Sequence, residues 1–277
     1  MPTDFALNCS VALVDTPPRQ RAARAQELGF GAVEFWWPFA TQSPEHSEVD
    51  EFVENVMRAD VETVLLNFPG GAAAVGDRGL LCVPGREDDF VASARAALDI
   101  GRRLSVQFYN PMAGNTVTEW TPQSREFETA VRNLVAIDSM LADAGATIVL
   151  EPLSGFPHAA LTTYDDTRVL VRTARAAGAQ NVAMLFDLYH LAVNGDPVLD
   201  PWAADIAIIG HVQIADAPGR GWPGTGDLPL GAWVQKLRDA GYAGRIGLEC
   251  AGEPGTAAAA VADVARSRAP SARPRAR

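Results

Sequence analysis

The sequence predicts a single-domain α/β protein, a (β/α)8 TIM barrel in which eight parallel strands alternate with helices. Two observations support this fold class. Short β-rich segments alternate with longer segments of helical periodicity along the chain, and eight such strands can be counted. The length of 277 residues also suits a closed barrel, whereas an open doubly wound sheet more often has five or six strands.

The predicted strands are short segments rich in β-branched and aromatic residues. They cover residues 5–12, 32–37, 61–68, 105–110, 147–152, 182–188, 209–216 and 245–251. Helices are predicted at 17–29, 47–59, 87–104 and 124–145, because apolar residues recur there at intervals of three or four. Glycines are expected to end four of the helices, at Gly29, Gly145, Gly178 and Gly241.

The barrel is predicted over residues 1–265, followed by a flexible tail over 266–277. The tail is rich in Arg and Pro and has no large apolar residue that could join a core. A docking arm for nucleic acid or a protein partner is the alternative interpretation of this segment. No linker divides the preceding residues into two domains.

The charge and composition exclude several classes of partner. A net charge of −11 opposes binding to nucleic acid or an anionic membrane, because such partners require clustered Lys and Arg. There is no apolar run long enough to span a bilayer and no signal-like N-terminus, so a cytoplasmic protein is expected. Cys9, Cys82 and Cys250 are expected to be reduced core thiols. A small-molecule ligand is therefore predicted, and a homo-oligomer is compatible with the sequence.

Four polar residues near the ends of consecutive predicted strands are candidate metal ligands: Glu151, Asp187, Gln213 and Glu249. The C-terminal ends of barrel strands meet at one mouth, where active sites of this fold lie. Carboxylate and amide oxygens suit Mg²⁺ or Mn²⁺. Each carboxylate could instead cap a helix or pair with an Arg. Three carboxylates at one mouth would repel one another, however, so a divalent cation is the expected counter-charge.

Further polar residues are expected around the same mouth. His190 lies one helical turn beyond Asp187 and is predicted to contact the substrate, to orient a ligand carboxylate or to cap the helix. His211 lies on the same strand face as Gln213. Arg220, in the Gly- and Pro-rich loop 215–227, could bind a substrate carboxylate or simply face solvent.

A long glycine-rich segment, residues 67–88, follows the third predicted strand and is interpreted as a lid or wall of the site. It contains Arg78 and Arg86, which are further candidates for binding an anion. Trp36 and Trp37, at the end of the second strand, could roof a small pocket or pack within the barrel.

Six motifs spread over residues 5–252 are similar to those of the hydroxypyruvate isomerase family, within the xylose-isomerase-like barrels. They are "GFGAVEFWWPF", "NFPGGAAAVGDRGLLCVPGRE", "LEP", "FDLYH", "GHVQIADAPGRGWPGTGD" and "GLEC". The resemblance implies a Mg²⁺ or Mn²⁺ ion bound by Glu151, Asp187, Gln213 and Glu249, with Glu151 and Glu249 as the proton donor and acceptor. Substrate binding is assigned to His190, Arg220, Asn67, Arg86 and His211.

The activity implied by this resemblance is the isomerisation of a small 2-oxo acid, hydroxypyruvate to tartronate semialdehyde (2-hydroxy-3-oxopropanoate), through an enediolate. A 2-oxotetronate isomerase, a ketose 3-epimerase and a barrel that binds a ligand without catalysis are the alternatives. An epimerase would need another Glu soon after "LEP", and an endonuclease would need more His ligands and a basic groove. Leu66 and Asn115 replace a His and a Lys found in some members of the family, which leaves the substrate open.

Overall fold

Eight parallel strands form a closed barrel in which each strand is hydrogen-bonded to the next along the chain, and the last to the first. The computed structural model describes residues 4–71, 76–196 and 205–252, together with positions 255, 261 and 264. The predicted tail over 266–277 lies outside these residues. The predicted fold class, an α/β TIM barrel, is confirmed.

The strands are shorter than the sequence predicts. Their bounds are β1 Phe5–Asn8, β2 Ala32–Phe35, β3 Glu62–Asn67, β4 Phe108–Asn110, β5 Thr147–Leu150, β6 Val182–Asp187, β7 Ile209–Ile214 and β8 Ile246–Leu248.

The connecting helices lie outside the barrel. They are α1 Cys9–Ala12, α2 Arg21–Glu27, α3 His46–Arg58, α4 Glu87–Leu104, α5 Arg125–Ala144, α6 Tyr164–Ala176, α7 Leu188–Asn194 and α8 Leu230–Asp239. Short 3-10 turns add Pro18–Gln20 and Ile206–Ile208. All four glycines expected at helix ends have positive φ, and Gly145 is itself the C-cap of α5.

Two of the strand boundaries differ from prediction for local reasons. The predicted strand 5–12 stops at Asn8, because the Asn8 side chain accepts a hydrogen bond from the Ser10 amide and starts α1. The predicted strand 105–110 begins only at Phe108, since Ser105 ends α4 in a left-handed conformation with φ of 56°. The shorter strands leave Glu151 and Glu249 immediately beyond β5 and β8.

The barrel interior changes from apolar to polar towards the mouth. Side chains that point inwards alternate along each strand. On β1 the buried Ala6 is followed by the buried Asn8, and on β2 the buried Ala32 is followed by the buried Glu34. The C-terminal end of the barrel therefore contains hydrogen-bonding groups where a packed core would have aliphatic ones.

The main hydrophobic core lies between the strands and the surrounding helices. All three cysteines are buried within it and unpaired, as predicted. Burial raises the pKa of each thiol well above its ordinary value. Within the described part of the chain, no helix is both long and apolar enough to cross a membrane.

The packing of α4 on the barrel depends on Gly101. A Cβ atom at Gly101 would overlap the hydroxyl of Tyr109, a fully buried side chain of β4. We expect Gly101→Ala to lower the free energy of unfolding by about 1–3 kcal/mol, because overpacking outweighs the gain in helix propensity. Urea denaturation measures this difference.

The matched control is Gly31→Ala, because a Cβ at Gly31 meets no atom within 4 Å. The same assay should give a change near zero for that variant. Equal effects of the two substitutions would contradict the packing argument.

Candidate metal centre and active site

A cavity of about 360 Å³ opens at the C-terminal end of the barrel. Its wall combines aromatic side chains with polar groups from the strand ends, as expected of a small-molecule site. Five residues predicted to form the site line it: Asn67, Glu151, His190, Arg220 and Glu249. Gly70 and Arg78 also line it, so the glycine-rich segment forms part of the wall, as predicted.

Asp187 is the last residue of β6 and the N-cap of α7. Its Oδ1 accepts hydrogen bonds from the amides of Tyr189 (2.7 Å) and His190 (3.0 Å). The other oxygen, Oδ2, lies 4.0 Å from Nε2 of His190. Capping thus uses one carboxylate oxygen and leaves the second near His190.

Glu151 is held in a similar way. Its Oε2 accepts a hydrogen bond of 2.6 Å from Nδ2 of Asn110, the last residue of β4. Its Oε1 lies 3.6 Å from Nε2 of His190. One ligand atom from each of Glu151, Asp187 and His190 can be chosen so that all lie within 4.8 Å of one another, a grouping that could hold a metal ion.

Glu249 lies just beyond β8 and faces two donors. Its Oε1 accepts a hydrogen bond of 2.9 Å from Nε1 of Trp36 and forms an ion pair with an Nη of Arg220, also at 2.9 Å. Its Oε2 is buried and has no hydrogen-bond partner among the described residues. Trp36, which was predicted to roof the pocket, therefore also orients the Glu249 carboxylate through its hydrogen bond to Oε1.

Gln213 is the register partner of Asp187 on the neighbouring strand β7. Its Nε2 donates a hydrogen bond of 2.7 Å to Glu34 of β2. Its Oε1 is buried and accepts no hydrogen bond from any residue that the structure describes. A buried acceptor without a donor is costly, so this oxygen is expected to face a ligand.

Burial changes the protonation of the three carboxyl groups. It raises the pKa of Asp187 to about 6 and that of Glu249 to about 7, although the positive charge of Arg220 opposes both shifts. Burial, together with the charges of Glu249 and Asp187, raises the pKa of Glu151 well above its usual range. Three carboxylates at such close quarters require positive charge to remain ionised at neutral pH.

His190 is a neutral donor directed at the cavity. Burial and the nearby Arg220 lower its pKa to about 4, so the imidazole is uncharged at neutral pH. Its Nδ1 accepts a hydrogen bond of 3.0 Å from the amide of Ser154, which places the remaining proton on Nε2. That nitrogen lies between Oε1 of Glu151, at 3.6 Å, and an Nη of Arg220, at 3.4 Å, and its N–H fits the predicted contact with a substrate oxygen or a ligand carboxylate.

The loop after β7 is organised by Asp216. This fully buried carboxylate accepts hydrogen bonds from the amides of Ala217, Gly224 and Leu228, at 2.9, 2.8 and 3.0 Å. The fold of the loop brings Arg220 over the ring of Tyr189, with 5.6 Å between Cζ and the ring centroid. Sequence analysis identified the loop and its Arg but not the buried acid that shapes it.

Two residues predicted to bind substrate lie away from the cavity wall. Arg86 precedes α4 and forms ion pairs with Asp89 and, at 3.5 Å, with Asp77. His211 is fully buried inside the barrel, where its Nε2 lies 2.5 Å from Oε1 of Glu34. Of the two arginines in the glycine-rich segment, the structure therefore brings Arg78 to the cavity and not Arg86.

Two contributors to the site were not predicted from the sequence. Asn110 ends β4, so the rule that polar strand ends converge at the mouth would have identified it. Glu34 gave only a weak signal, a single charged residue within the apolar run "AVEFWW". Its importance depends on contacts across the barrel, which local sequence patterns do not encode.

The donor set fits a divalent cation. Glu151, Asp187, Gln213 and Glu249 lie at or beside the C-terminal ends of β5 to β8, and among the described residues Gln213 and Glu249 each have a buried oxygen without a hydrogen-bond partner. Hard oxygen donors of this kind suit Mg²⁺ and Mn²⁺. A cation would also reverse the electrostatic cost of burying three carboxylates together.

Protons and a cation should compete for these carboxylates. Their raised pKa values mean that the cation-free site retains protons near pH 6 and loses them towards pH 8, so affinity for a cation rises over that range. We therefore expect the increase in Tm on adding Mn²⁺ to be larger near pH 8 than near pH 6, measured by calorimetry against EDTA-treated protein at each pH.

The Asp187→Asn variant serves as the control for this measurement, since it removes one charged ligand and should reduce the increase at both values of pH. An increase that is equal or greater near pH 6 would contradict the assignment of these carboxylates as ligands.

Comparison with known proteins supports the same assignment of family. Residues 22–268 match the family model described as xylose isomerase-like TIM barrel. A provisionally named hydroxypyruvate isomerase of Streptomyces coelicolor is 38% identical over 253 residues, covering 88% of this chain and 89% of that protein. The hydroxypyruvate isomerase of Escherichia coli is 30% identical over 250 residues, covering 88% and 92%.

A 2-oxo-tetronate isomerase of Cupriavidus necator is 31% identical over 256 residues, covering 92% of this chain and 95% of that protein. Among solved structures, one from Brucella melitensis titled as an AP endonuclease of family 2 matches with a TM-score of 0.83 and 28% identity, over 97% of this chain and 100% of that one. The protein therefore belongs to the hydroxypyruvate isomerase family of xylose isomerase-like TIM barrels.

Proposed function

We propose that this isomerase interconverts hydroxypyruvate and tartronate semialdehyde, using Mg²⁺ or Mn²⁺ bound at the barrel mouth. The observation that carries the proposal is the pair of buried acceptor oxygens without partners among the described residues, Gln213 Oε1 and Glu249 Oε2, at the end of the barrel where the cavity has two arginines in its wall. The names of the relatives support a small 2-oxo acid as substrate.

The reaction moves hydrogen between two neighbouring carbons and needs no oxidant or reductant. A proton leaves the hydroxymethyl carbon, a proton is added to the adjacent carbonyl carbon, and the hydroxyl proton passes from one oxygen to the other. A divalent ion held by Glu151, Asp187, Gln213 and Glu249 would acidify the carbon-bound proton and stabilise the enediolate charge.

Proton transfer is assigned to Glu151 and Glu249. In each carboxylate one oxygen is already fixed, by Asn110 in the first case and by Trp36 with Arg220 in the second. Because the other oxygen is also the candidate ligand atom, it can act as a base only while it is not bound to the ion. Asp187 and Gln213 serve as ligands without a role in proton transfer.

The substrate carboxylate is assigned to the arginines of the cavity wall. One Nη of Arg220 binds Glu249, while its Nε is buried and has no acceptor in the described chain. A substrate carboxylate would supply that acceptor. Arg78 stacks on Phe156, with 5.0 Å between Cζ and the ring centroid, and adds a second positive charge to the wall. His190 is assigned to a substrate oxygen through its Nε2–H.

A 2-oxotetronate isomerase is the nearest alternative, because a cavity of about 360 Å³ also admits an acid with one more carbon. A ketose 3-epimerase is less well supported, since the loop between Leu153 and Asp165 contains no Glu. A nuclease is opposed by the net charge of −11, which would repel the phosphate backbone.

Removing the metal should abolish isomerisation. We expect protein treated with EDTA to lose turnover of hydroxypyruvate and to regain it with Mn²⁺ or Mg²⁺, measured by NMR of the product. Parallel assays with 2-oxotetronates identify the preferred chain length. Full activity in the metal-free protein would contradict the proposed mechanism.

Replacing the proton-transfer carboxylate should slow the chemical step. We expect Glu249→Gln to lower kcat by about 10²–10⁴-fold, with a matching loss of deuterium exchange at the substrate carbon. Glu54→Gln, which changes an exposed carboxylate on α3, is the control and should leave both rates unchanged. Undiminished exchange in Glu249→Gln would exclude this residue as the acid or base.

The two arginines of the glycine-rich segment should differ in effect. Arg78→Gln removes a charge from the cavity wall, so KM for hydroxypyruvate should rise about tenfold, which corresponds to losing about 1.4 kcal/mol of binding. Arg86→Gln alters ion pairs with Asp77 and Asp89 that lie outside the cavity wall, and it should leave KM nearly unchanged. Steady-state kinetics would contradict the assignment if Arg86→Gln had the larger effect.

A further inference from the structure

Glu34 is a charged residue buried in the barrel interior. It is fully buried on β2, and its carboxylate reaches β7, a strand that is not adjacent to β2 in the barrel. Space for it depends on Gly247 of β8, where a Cβ would overlap the carboxylate. An interior layer of a TIM barrel is normally filled by aliphatic side chains, and burying a charged carboxylate there is costly. Glu34 is therefore expected to have a specific role.

The contacts of Glu34 define its orientation. Its Oε1 lies 2.5 Å from Nε2 of His211, and its Oε2 accepts a 2.7 Å hydrogen bond from Nε2 of Gln213. Nδ2 of Asn8 lies 3.5 Å from the same Oε2. His211 in turn stacks on Phe108, with 5.4 Å between ring centroids, which holds the imidazole in place.

These contacts determine which end of the Gln213 amide faces the site. A carboxylate only accepts hydrogen bonds, so it selects the NH₂ end of the amide. The oxygen must then point away from Glu34, and it is this oxygen that is buried without a partner. Without Glu34, nothing in the described surroundings would favour the orientation in which the amide oxygen of Gln213 faces the site. In the flipped orientation, the NH₂ group of the amide would face the cation.

We propose that Glu34 is a positioning residue that tunes affinity for the divalent cation by fixing the amide orientation of Gln213. This inference rests on the proposed function, because it requires Gln213 to be a metal ligand. Groups that orient a ligand from behind typically change metal affinity by about 10–100-fold when they are removed. Glu34 itself need not touch the substrate or the ion.

The test exchanges the amide of Gln213 and the carboxylate of Glu34 between the two positions. In Gln213→Glu the new carboxylate faces that of Glu34 at hydrogen-bond distance, so Mn²⁺ binding should weaken through repulsion between the two groups. In the double variant E34Q/Q213E an amide on β2 again faces an acceptor on β7, and binding should recover to at least the wild-type level. Glu34→Asp keeps the charge but shortens the reach, and should weaken binding by about 10–100-fold.

The dissociation constant for Mn²⁺ is measured on the full chain by EPR, with circular dichroism to check folding. Thr63→Val is the control, because it changes a buried polar residue of β3 whose hydroxyl has no hydrogen-bond partner in the described structure. Its dissociation constant should equal that of the wild type.

The outcomes separate the inference from the proposed function. If wild-type protein binds no Mn²⁺, the proposed function fails and the inference with it. If wild-type protein binds Mn²⁺ and Gln213→Ala weakens binding, but Glu34→Asp does not or the double variant fails to recover, only the inference is overturned. If Gln213→Glu alone does not fold, Glu34→Asp decides the question: Mn²⁺ binding must weaken in protein that circular dichroism shows to be folded, and unchanged binding would overturn the inference.

Discussion

The burial of three carboxyl groups at one end of the barrel is the constraint on which the site depends. Glu151, Asp187 and Glu249 are removed from water, and burial raises the pKa of each; the charges of Glu249 and Asp187 further raise the pKa of Glu151, and that of Asp187 further raises the pKa of Glu249. In each group one oxygen accepts a hydrogen bond from a protein donor; the second oxygens of Glu151 and Asp187 lie near His190, and that of Glu249 has no partner among the described residues. Arg220 neutralises only part of this charge, so the arrangement is matched to a divalent cation.

The same residues connect the fold to the site. Asp187 ends β6, caps α7 and contributes to the candidate metal centre. The hydrogen bonds that start the helix therefore also position a candidate ligand. Asp216 performs a comparable task for the loop that presents Arg220. Beneath them, Glu34 connects β2 to β7 through the barrel centre. Polar groups thus define the mouth, while apolar packing around the barrel stabilises the framework.

Sequence patterns were sufficient for the fold and for the strands that carry the site. Alternation of strand and helix periods predicted the barrel, and the rule that active sites lie at the C-terminal strand ends identified Glu151 and Glu249, which line the cavity. Strand bounds were too long because side-chain capping at Asn8 and the left-handed turn at Ser105 depend on local geometry.

Contacts between distant residues could not be predicted in this way. Arg78 lines the cavity and Arg86 does not, because of how the glycine-rich segment folds. The sequence around the two arginines does not distinguish them. The hydrogen bond of Trp36 to Glu249 spans 213 positions, and those of Glu34 to His211 and Gln213 span more than 170. Only the closed barrel brings these residues together.

The central claim is that the oxygens of Glu151, Asp187, Gln213 and Glu249 bind one divalent cation. Anomalous diffraction at the manganese edge, from crystals soaked in Mn²⁺, tests this most directly. The account predicts one strong peak within about 2.0–2.4 Å of oxygens from all four residues, distances typical of a hard cation. A peak bound elsewhere, or none at this position in crystals that contain Mn²⁺ at other sites, would contradict it.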